Sequence, residues 1–111
     1  MVGQSKDVIT SQNYEEHLTE ILEYGLETFG YIQARAYYNN ISYLVEGLEN
    51  NYYIHPECRH LATKRRKYRN IILDSHLIIY RITDARIEVL DIIHSASCIQ
   101  KIRNARKIHP S

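Results

Sequence analysis

Apolar positions in the first half of the chain recur at helical spacing. Leu18, Ile21, Leu22, Gly25 and Phe29 lie mostly three and four residues apart, which predicts an amphipathic helix. A second stripe with the same period follows Gly30 and predicts a second helix ending near residue 50. Its members are Ala34, Tyr37, Tyr38, Ile41, Leu44, Val45 and Leu48.

The boundaries of these helices carry recognisable signals. Val8-Ile9-Thr10 is a short β-type segment, and Ser11 or Thr10 is placed to cap the helix that follows. Gly30 marks the end of the first helix, and Asn50 can cap the second. Because the join at Phe29-Gly30 leaves no room for a crossover, the two helices should form an antiparallel hairpin.

The second half of the chain has the pattern of a β-meander. Its β-rich runs are Lys67–Asp74, Leu77–Thr83 and Arg86–His94. The links Ser75-His76 and Asp84-Ala85 are short enough to require antiparallel hairpins. Residues 77–80 are apolar on consecutive positions, as in a central strand covered on both faces, and Ile99, Ile102 and Ile108 indicate a last short helix.

The predicted fold class is therefore α+β, with the helical hairpin packed on one face of a twisted antiparallel sheet. The order is short strand, helix, helix, three-stranded meander and C-terminal helix. All 111 residues are expected to form a single domain, spanning 1–111. The other face of the sheet, or its rim, is then the candidate working surface.

Charge divides the chain more sharply than its net value of +1 suggests. Residues 1–57 hold two cations and nine acids, a sum of −7, whereas residues 58–111 hold twelve cations and four acids, a sum of +8. This asymmetry favours an anionic partner for the second half, either nucleic acid or an acidic protein segment. Attraction between the two halves of the molecule is the alternative explanation.

Cysteine content and hydropathy indicate a reducing, cytoplasmic setting. Two cysteines are too few for a disulfide framework, and the N-terminal segment lacks the apolar stretch of a signal peptide. No apolar run is long enough to span a membrane. His55-x-x-Cys58-x-His60 contains zinc-ligand residue types, but its spacing is not a zinc pattern, so neither metal nor cofactor is predicted.

Residues at several separated points resemble the RelE/ParE toxin superfamily over positions 8 to 95. The motif Thr10-x-x-Asn13-x-x-x-His17-Leu18-x-x-Ile21-x-x-Tyr24 is similar to that family's first helix, with His17 replacing the more usual aspartate. The similarity continues through the connection and the strands. It lies in Pro56-x-x-Arg59-x-Leu61, Tyr68-Arg69-x-Ile71, Leu77-Ile78-Ile79-Tyr80-Arg81-Ile82 and Ile87-x-Val89-Leu90-x-Ile92-Ile93-His94.

The resemblance implies the toxin of a bacterial type II toxin–antitoxin system, associated with plasmid stabilization and growth inhibition. It also implies a cognate antitoxin that wraps the helical hairpin and the sheet in a toxin–antitoxin assembly. Two activities occur in the superfamily. RelE-like members cleave messenger RNA on the ribosome, and ParE-like members inhibit DNA gyrase without a nuclease site.

A metal-independent nuclease needs a proton donor, a base and cations for the phosphate. His94 is the candidate acid, and Arg69 and Arg81 are the candidate catalytic phosphate ligands. The glutamate that some nuclease members carry near Arg59 is missing, and His76 and Glu57 are weak substitutes because both are expected in loops or turns. A net charge of +1 also fits ribosomal RNA binding poorly.

The first hypothesis is therefore a ParE-like toxin that contacts DNA gyrase and is neutralised by an antitoxin. The RelE-like ribosome-dependent nuclease is the alternative, and a degenerate member that only binds its partner is the third hypothesis. Tyr80 is assigned to the core, and the other tyrosines mainly to packing. The candidate target- or antitoxin-binding residues are Arg59, Lys64, Arg65, Arg66, Lys67, Arg69 and Arg81.

Overall fold

The computed structural model describes residues 4–110, so residues 1–3 and 111 of the predicted domain lie outside the described part. The α+β class and the predicted order of elements are confirmed. The helices are α1 (Gln12–Phe29), α2 (Tyr31–Glu46), α3 (Leu48–Asn51) and α4 (Ile99–Asn104), and the strands are β1 (Asp7–Thr10), β2 (Tyr68–Ile72), β3 (His76–Ile82) and β4 (Arg86–His94). Short 3-10 turns cover Arg59–Leu61 and Ala105–Lys107.

The helical hairpin forms for the reasons read from the sequence. Ser11 is the N-cap of α1, and its Oγ accepts a hydrogen bond from the Tyr14 N–H at 3.0 Å. Gly30 separates the helices with φ of 87°, a left-handed backbone conformation that glycine adopts without strain. At Gly25 a Cβ would lie 3.4 Å from the Ala34 Cβ, so small residues on both helices allow their close approach.

The second helix is interrupted earlier than predicted. It ends at Glu46, and Asn50, predicted as its C-terminal cap, lies inside the short helix α3 instead. Gly47 separates α2 from α3 while keeping a right-handed backbone, with its N–H bonded to the Tyr43 carbonyl at 3.0 Å. A glycine costs about 1 kcal/mol relative to alanine in a helix interior, so Gly47 weakens the helix at this position.

The four strands form one sheet in the order β1-β4-β3-β2. The predicted meander is present, because β2 pairs antiparallel with β3 and β3 antiparallel with β4. β1 runs parallel to β4, so the sheet is mixed rather than antiparallel throughout. The β2–β3 turn also differs from the prediction, since His76 is the first residue of β3 rather than part of the turn.

Apolar residues pack on both faces of this sheet. On one face, α1, α2 and α3 contribute Leu18, Ile41 and Leu48 to a cluster that includes Ile78 and Tyr80. The burial of residues 78–80 confirms the central strand and the assignment of Tyr80 to the core.

The sequence predicted the second face of the sheet, or the rim, as the working surface, but the second face is covered. Cys58 and Leu61 from the connection, and Ile102 and Ala105 from the C-terminal segment, pack there around Leu90. The face is covered because β4 carries apolar side chains on both faces, so the second face needs its own covering layer and only the rim alternative remains. This leaves the rim of the sheet and the outer surfaces of the two layers for function.

Candidate functional site

A groove of about 1100 Å³ lies between the helical hairpin and the ends of β3 and β4. Its helical wall is mainly apolar. That wall includes Leu18, Ile21, Leu22, Tyr24, Phe29, Ala34, Tyr37, Tyr38 and Ile41. Opposite this wall lie residues 91–94 of β4, and residues of the C-terminal segment complete the lining.

The β4 strand presents an open edge to this groove. β1 pairs with β4 only as far as Thr10 and Val89, because the chain turns into α1 at Ser11. Within residues 4–110, no strand pairs with the rest of β4 on this side. Because the backbone hydrogen-bonding groups of successive residues point to alternate sides of a strand, the Ile92 carbonyl and the His94 N–H point toward the open side.

Polar side chains partly protect this edge. Asp91 Oδ1 accepts a hydrogen bond from the Ile92 N–H at 2.8 Å and lies 2.6 Å from His17 Nδ1. His17 comes from α1, so this pair also ties the hairpin to the strand. The position where the superfamily more often has aspartate is thus used here to bind a carboxylate of the sheet.

Two histidines face each other at the end of the groove. His76 and His94 are register partners on β3 and β4, with ring centroids 5.5 Å apart. The Tyr37 hydroxyl shares a hydrogen bond with His76 Nδ1 at 2.7 Å. Burial, and then the neighbouring His94, lowers the pKa of His76, so His76 is neutral at pH 7.

The charges of the groove do not suit a phosphate. Glu20, Asp74 and Asp91 line it, and Lys101 is the one lysine or arginine among its lining residues in the described part of the chain. An RNA phosphate entering the groove would meet more carboxylates than cations. The groove therefore fits an apolar protein segment better than a nucleic acid.

The predicted catalytic residues do not come together. His94 pairs with His76 at the start of β3, whereas Arg81 lies five residues further along that strand, roughly 17 Å away. Arg69 pairs with Tyr80, four strand positions from His76 or roughly 13 Å. Since neighbouring residues of a strand point to opposite faces, Arg69 and Arg81 also lie on different faces of the sheet.

Arg81 is occupied by intramolecular partners. Its side chain is 8% exposed, and its Nη2 lies 2.7 Å from Glu88 Oε1. It also donates hydrogen bonds to the carbonyls of Arg106 and Ile108 at 3.3 and 3.0 Å. Arg69 is similarly engaged, donating to the carbonyls of Tyr53 and His55 at 3.0 Å each. Both side chains fasten chain segments to the sheet.

The remaining predicted binding residues are exposed. Arg59 lies in the 3-10 turn after Cys58, and the basic turn, residues 64–67, leads into β2. In the described part of the chain, Arg66 is the residue of this turn with a carboxylate within 4.0 Å, that of Glu57. The basic turn enters β2 at the end where Tyr68 pairs with Arg81, so it lies at the opposite end of the sheet from His76 and His94.

Sequence reasoning missed the polar cluster of the groove. The sequence marks His17 only as a departure from the superfamily pattern, Tyr37 only as a member of the second helical stripe, and Asp91 only as one of the acids. His17 is next to the core residue Leu18 on α1, but the helical pattern alone does not show that His17 contacts Asp91, on a strand 74 residues later.

Cys58 is buried, and among residues 4–110 no three His, Cys, Asp or Glu side chains are grouped to hold a metal ion. Within the same residues, none of the helices has the length and apolar composition needed to cross a membrane.

A helical hairpin on a four-stranded mixed sheet defines the fold class of this chain. A solved chain described as "Chromosomal ParDE TA system from P. aeruginosa" has this fold, with a TM-score of 0.68 and 14% sequence identity. The superposition covers 83% of the present chain and 98% of the other. No curated protein matches the chain.

The sequence itself identifies the family. The family model described as "ParE toxin of type II toxin-antitoxin system, parDE" matches residues 8–97, which extend from β1 past the end of β4. The chain belongs to the ParE toxin family. The superfamily assignment made from the sequence motifs is therefore confirmed, and so is the preference for its ParE-like branch.

Proposed function

We propose that this protein is a growth-inhibiting toxin that acts on DNA gyrase by protein–protein contact and is neutralised by a cognate antitoxin in the cytoplasm. The observation that carries the proposal is the groove, in which an apolar helical wall faces an open strand edge. Such a site suits a protein segment, because apolar pockets supply binding energy and an open edge supplies directional hydrogen bonds.

The antitoxin is proposed to occupy this groove. Its apolar side chains would bury the exposed part of Tyr24, which is 64% exposed, and of Phe29, which is 59% exposed. An extended part of the same segment can use the free Ile92 carbonyl and His94 N–H. The resulting assembly is a hetero-oligomer of toxin and antitoxin.

The target-binding residues that we propose are Arg59, Lys64, Arg65, Arg66, Lys67 and Arg69. The first five are exposed, and Arg69 lies beside them at the start of β2. We leave Arg81 out of this surface because its guanidinium is buried against Glu88 and the C-terminal carbonyls. Its proposed role is to fix the C-terminal segment.

The ribonuclease alternative ranks second. The pairing of His76 with His94 does supply two imidazoles for acid–base chemistry, which favours this alternative. The cations that would hold the phosphate lie at the other end of the sheet, and carboxylates line the histidine end. The site thus separates the two parts that RNA cleavage requires to be adjacent.

The test compares inhibition of gyrase with cleavage of messenger RNA. Purified protein should inhibit supercoiling of relaxed plasmid by gyrase and should leave ribosome-bound messenger RNA intact. Because His94 is not part of the proposed target surface, His94→Ala should fold and arrest growth as the unmodified protein does. Arg65→Glu/Arg66→Glu should weaken the arrest at least tenfold in the inducer concentration required.

Three results would contradict the proposal in different ways. Ribosome-dependent cleavage that His94→Ala reduces tenfold or more would establish the nuclease instead. Growth that continues normally when the protein is expressed without an antitoxin would indicate a member that only binds its partner. Growth arrest with uninhibited supercoiling and intact messenger RNA would leave the toxin assignment standing and remove gyrase as the target.

A further inference from the structure

The two layers that cover the sheet carry opposite charge. The hairpin layer, residues 12–51, has seven glutamates and one cation, Arg35, all of them exposed. The basic layer comprises residues 57–67 and 99–110. It has nine cations, all exposed, and one carboxylate, that of Glu57. The sheet therefore separates an acidic surface from a basic surface.

The two segments of the basic layer form one surface. Cys58 and Leu61 from the first segment share an apolar cluster with Ile102 and Ala105 from the second. The two segments therefore adjoin on this face of the sheet, and their nine cations are all exposed. The first segment supplies Arg59 and the basic turn, and the second supplies Lys101, Arg103, Arg106 and Lys107.

The basic turn has a fixed backbone. Thr63 accepts hydrogen bonds from the N–H groups of Arg66 and Lys67, and its own N–H donates to Glu57 Oε2 at 3.1 Å. Arg66 has φ of 53°, a left-handed conformation that is strained for a side-chain-bearing residue, and Arg69 Nε donates to its carbonyl at 3.2 Å. The backbone that carries these cations is thus fixed by hydrogen bonds rather than forming a free loop.

The composition of the basic layer indicates the class of its partner. Neither segment contains Phe, Tyr or Trp, and Ile99 is its one large apolar side chain exposed by more than a third in the described part of the chain. Protein interfaces combine arginines with aromatic and other apolar anchors, whereas single-stranded nucleic acid is bound through aromatic stacking. A surface with many cations and no aromatic side chain fits the phosphate backbone of a duplex.

We infer that the basic layer binds double-stranded DNA through its phosphates, without sequence preference. The inference rests on the proposed function for its biological meaning, since it would hold the toxin on the DNA that gyrase has bound. The binding itself involves only the toxin and the duplex. It can therefore be measured without gyrase and without antitoxin.

The experiment is fluorescence anisotropy of the full chain with a labelled 20-base-pair duplex between 50 and 200 mM salt. If about four phosphates are neutralised, the affinity should fall about 100-fold over this range. Arg65→Glu in the first segment and Arg103→Glu in the second should each weaken binding about tenfold and reduce the salt slope by about 1. Arg35→Glu on the hairpin layer is the matched control, with the same charge change, and should bind within about threefold of the unmodified protein.

Each competing result overturns the inference. If Arg35→Glu and Arg65→Glu weakened duplex binding equally, the effect would come from net charge and not from the basic layer. Tighter binding of single-stranded dT20 or of an RNA duplex would show that the basic layer binds another nucleic acid. Displacement of the duplex by polyglutamate at equal charge would show that it binds an acidic protein. Thermal unfolding of each variant verifies that it is folded before binding is measured.

The same variants separate this inference from the proposed function. Supercoiling inhibited equally by the unmodified protein and Arg103→Glu, without measurable DNA binding by either, would refute the inference and leave gyrase as the target. Duplex binding with the expected salt slope, together with uninhibited supercoiling, would support the inference and remove gyrase as the target.

Discussion

The ion pair between Arg81 and Glu88 joins the sheet to the C-terminal segment. Burial raises the pKa of Glu88, but hydrogen bonds and charges from Arg81 and Arg86 outweigh it, so the net pKa is lowered. Arg86 extends the network by donating to the Pro110 carbonyl at 3.1 Å. The carboxylate of Glu88 is therefore needed in its charged form to hold this segment.

Glu88→Gln tests this network at the level of one atom. Because it leaves the Arg81 guanidinium buried without a counter-charge, the free energy of unfolding should fall by about 3 kcal/mol at pH 7. Glu57→Gln is the control, since its carboxylate is 4.0 Å from the exposed Arg66, and should cost less than about 1 kcal/mol. Denaturant unfolding measures both values. Equal losses of unfolding free energy would show that the buried ion pair contributes no more to stability than the exposed one.

The pH dependence of the same variant gives a second readout. A lowered pKa in the folded state means that Glu88 stabilises the protein above the ordinary glutamate pKa and that this stabilisation is lost as pH falls through the folded value. Unfolding free energy should therefore decline on acidification below about pH 4.5 in the unmodified protein. Glu88→Gln should show a shallower decline, and an unchanged profile would assign the acid sensitivity to other carboxylates.

At the scale of elements, Ser11 links the start of α1 to β4. Its Oγ caps the helix at Tyr14 and also donates to the Leu90 carbonyl, although the residue is only 2% exposed. Ser11→Ala removes both bonds and leaves a buried carbonyl unpaired, so we expect a loss of about 2 kcal/mol in unfolding free energy. Thr19→Ala, an exposed site on the same helix, should change it by less than about 0.5 kcal/mol. Similar losses in the two variants would mean that the link to β4 contributes little.

Elements with a local signal were the ones that the sequence could predict. Ser11, Gly30 and the apolar stripes marked the hairpin, and the bounds predicted for the third run of the meander, Arg86–His94, are those of β4. The parallel pairing of β1 with β4 joins segments almost 80 residues apart, and no local pattern specifies it. The covering of the second sheet face was missed for a related reason, because the short C-terminal helix gives only a weak periodic signal.

The candidate site shows the same limit. The histidine at the end of β4 was found from its place on the strand, but its partner His76 was assigned to a turn, because Ser75-His76 looked like the whole link between two strands. Arg69 and Arg81 were grouped since both lie in predicted strands, whereas the register places them on opposite faces. Spatial grouping depends on strand register, which a short apolar run does not determine.

At the scale of the whole molecule, the charge difference between the chain halves becomes a difference between surfaces. The sheet lies between the hairpin layer and the basic layer, and the groove opens at its rim, lined by the hairpin and by residues of the C-terminal segment. An antitoxin in the groove and DNA on the basic layer would then occupy adjoining surfaces that meet at Lys101. An antitoxin bound in the groove would have to neutralise the toxin by blocking access of the target protein, by adding negative charge that repels DNA, or by both.

The separation of surfaces gives a test of the antitoxin site. Tyr24 lies in the groove and is 64% exposed, whereas Tyr43 lies on α2 outside it and is 76% exposed. Replacing an aromatic anchor with a charge costs at least about 2 kcal/mol of binding, so Tyr24→Asp should weaken antitoxin binding about 30-fold or more. Tyr43→Asp adds the same charge to the same layer and should bind as the unmodified toxin does.

Co-expression with the cognate antitoxin converts this difference in binding into a difference in growth. Both variants should arrest growth when expressed alone, because neither change touches the basic layer. The antitoxin should rescue cells that express Tyr43→Asp and fail to rescue cells that express Tyr24→Asp. Equal rescue of the two would place the antitoxin outside the groove. Loss of toxicity in Tyr24→Asp alone, with its fold intact, would show that the groove binds the target instead.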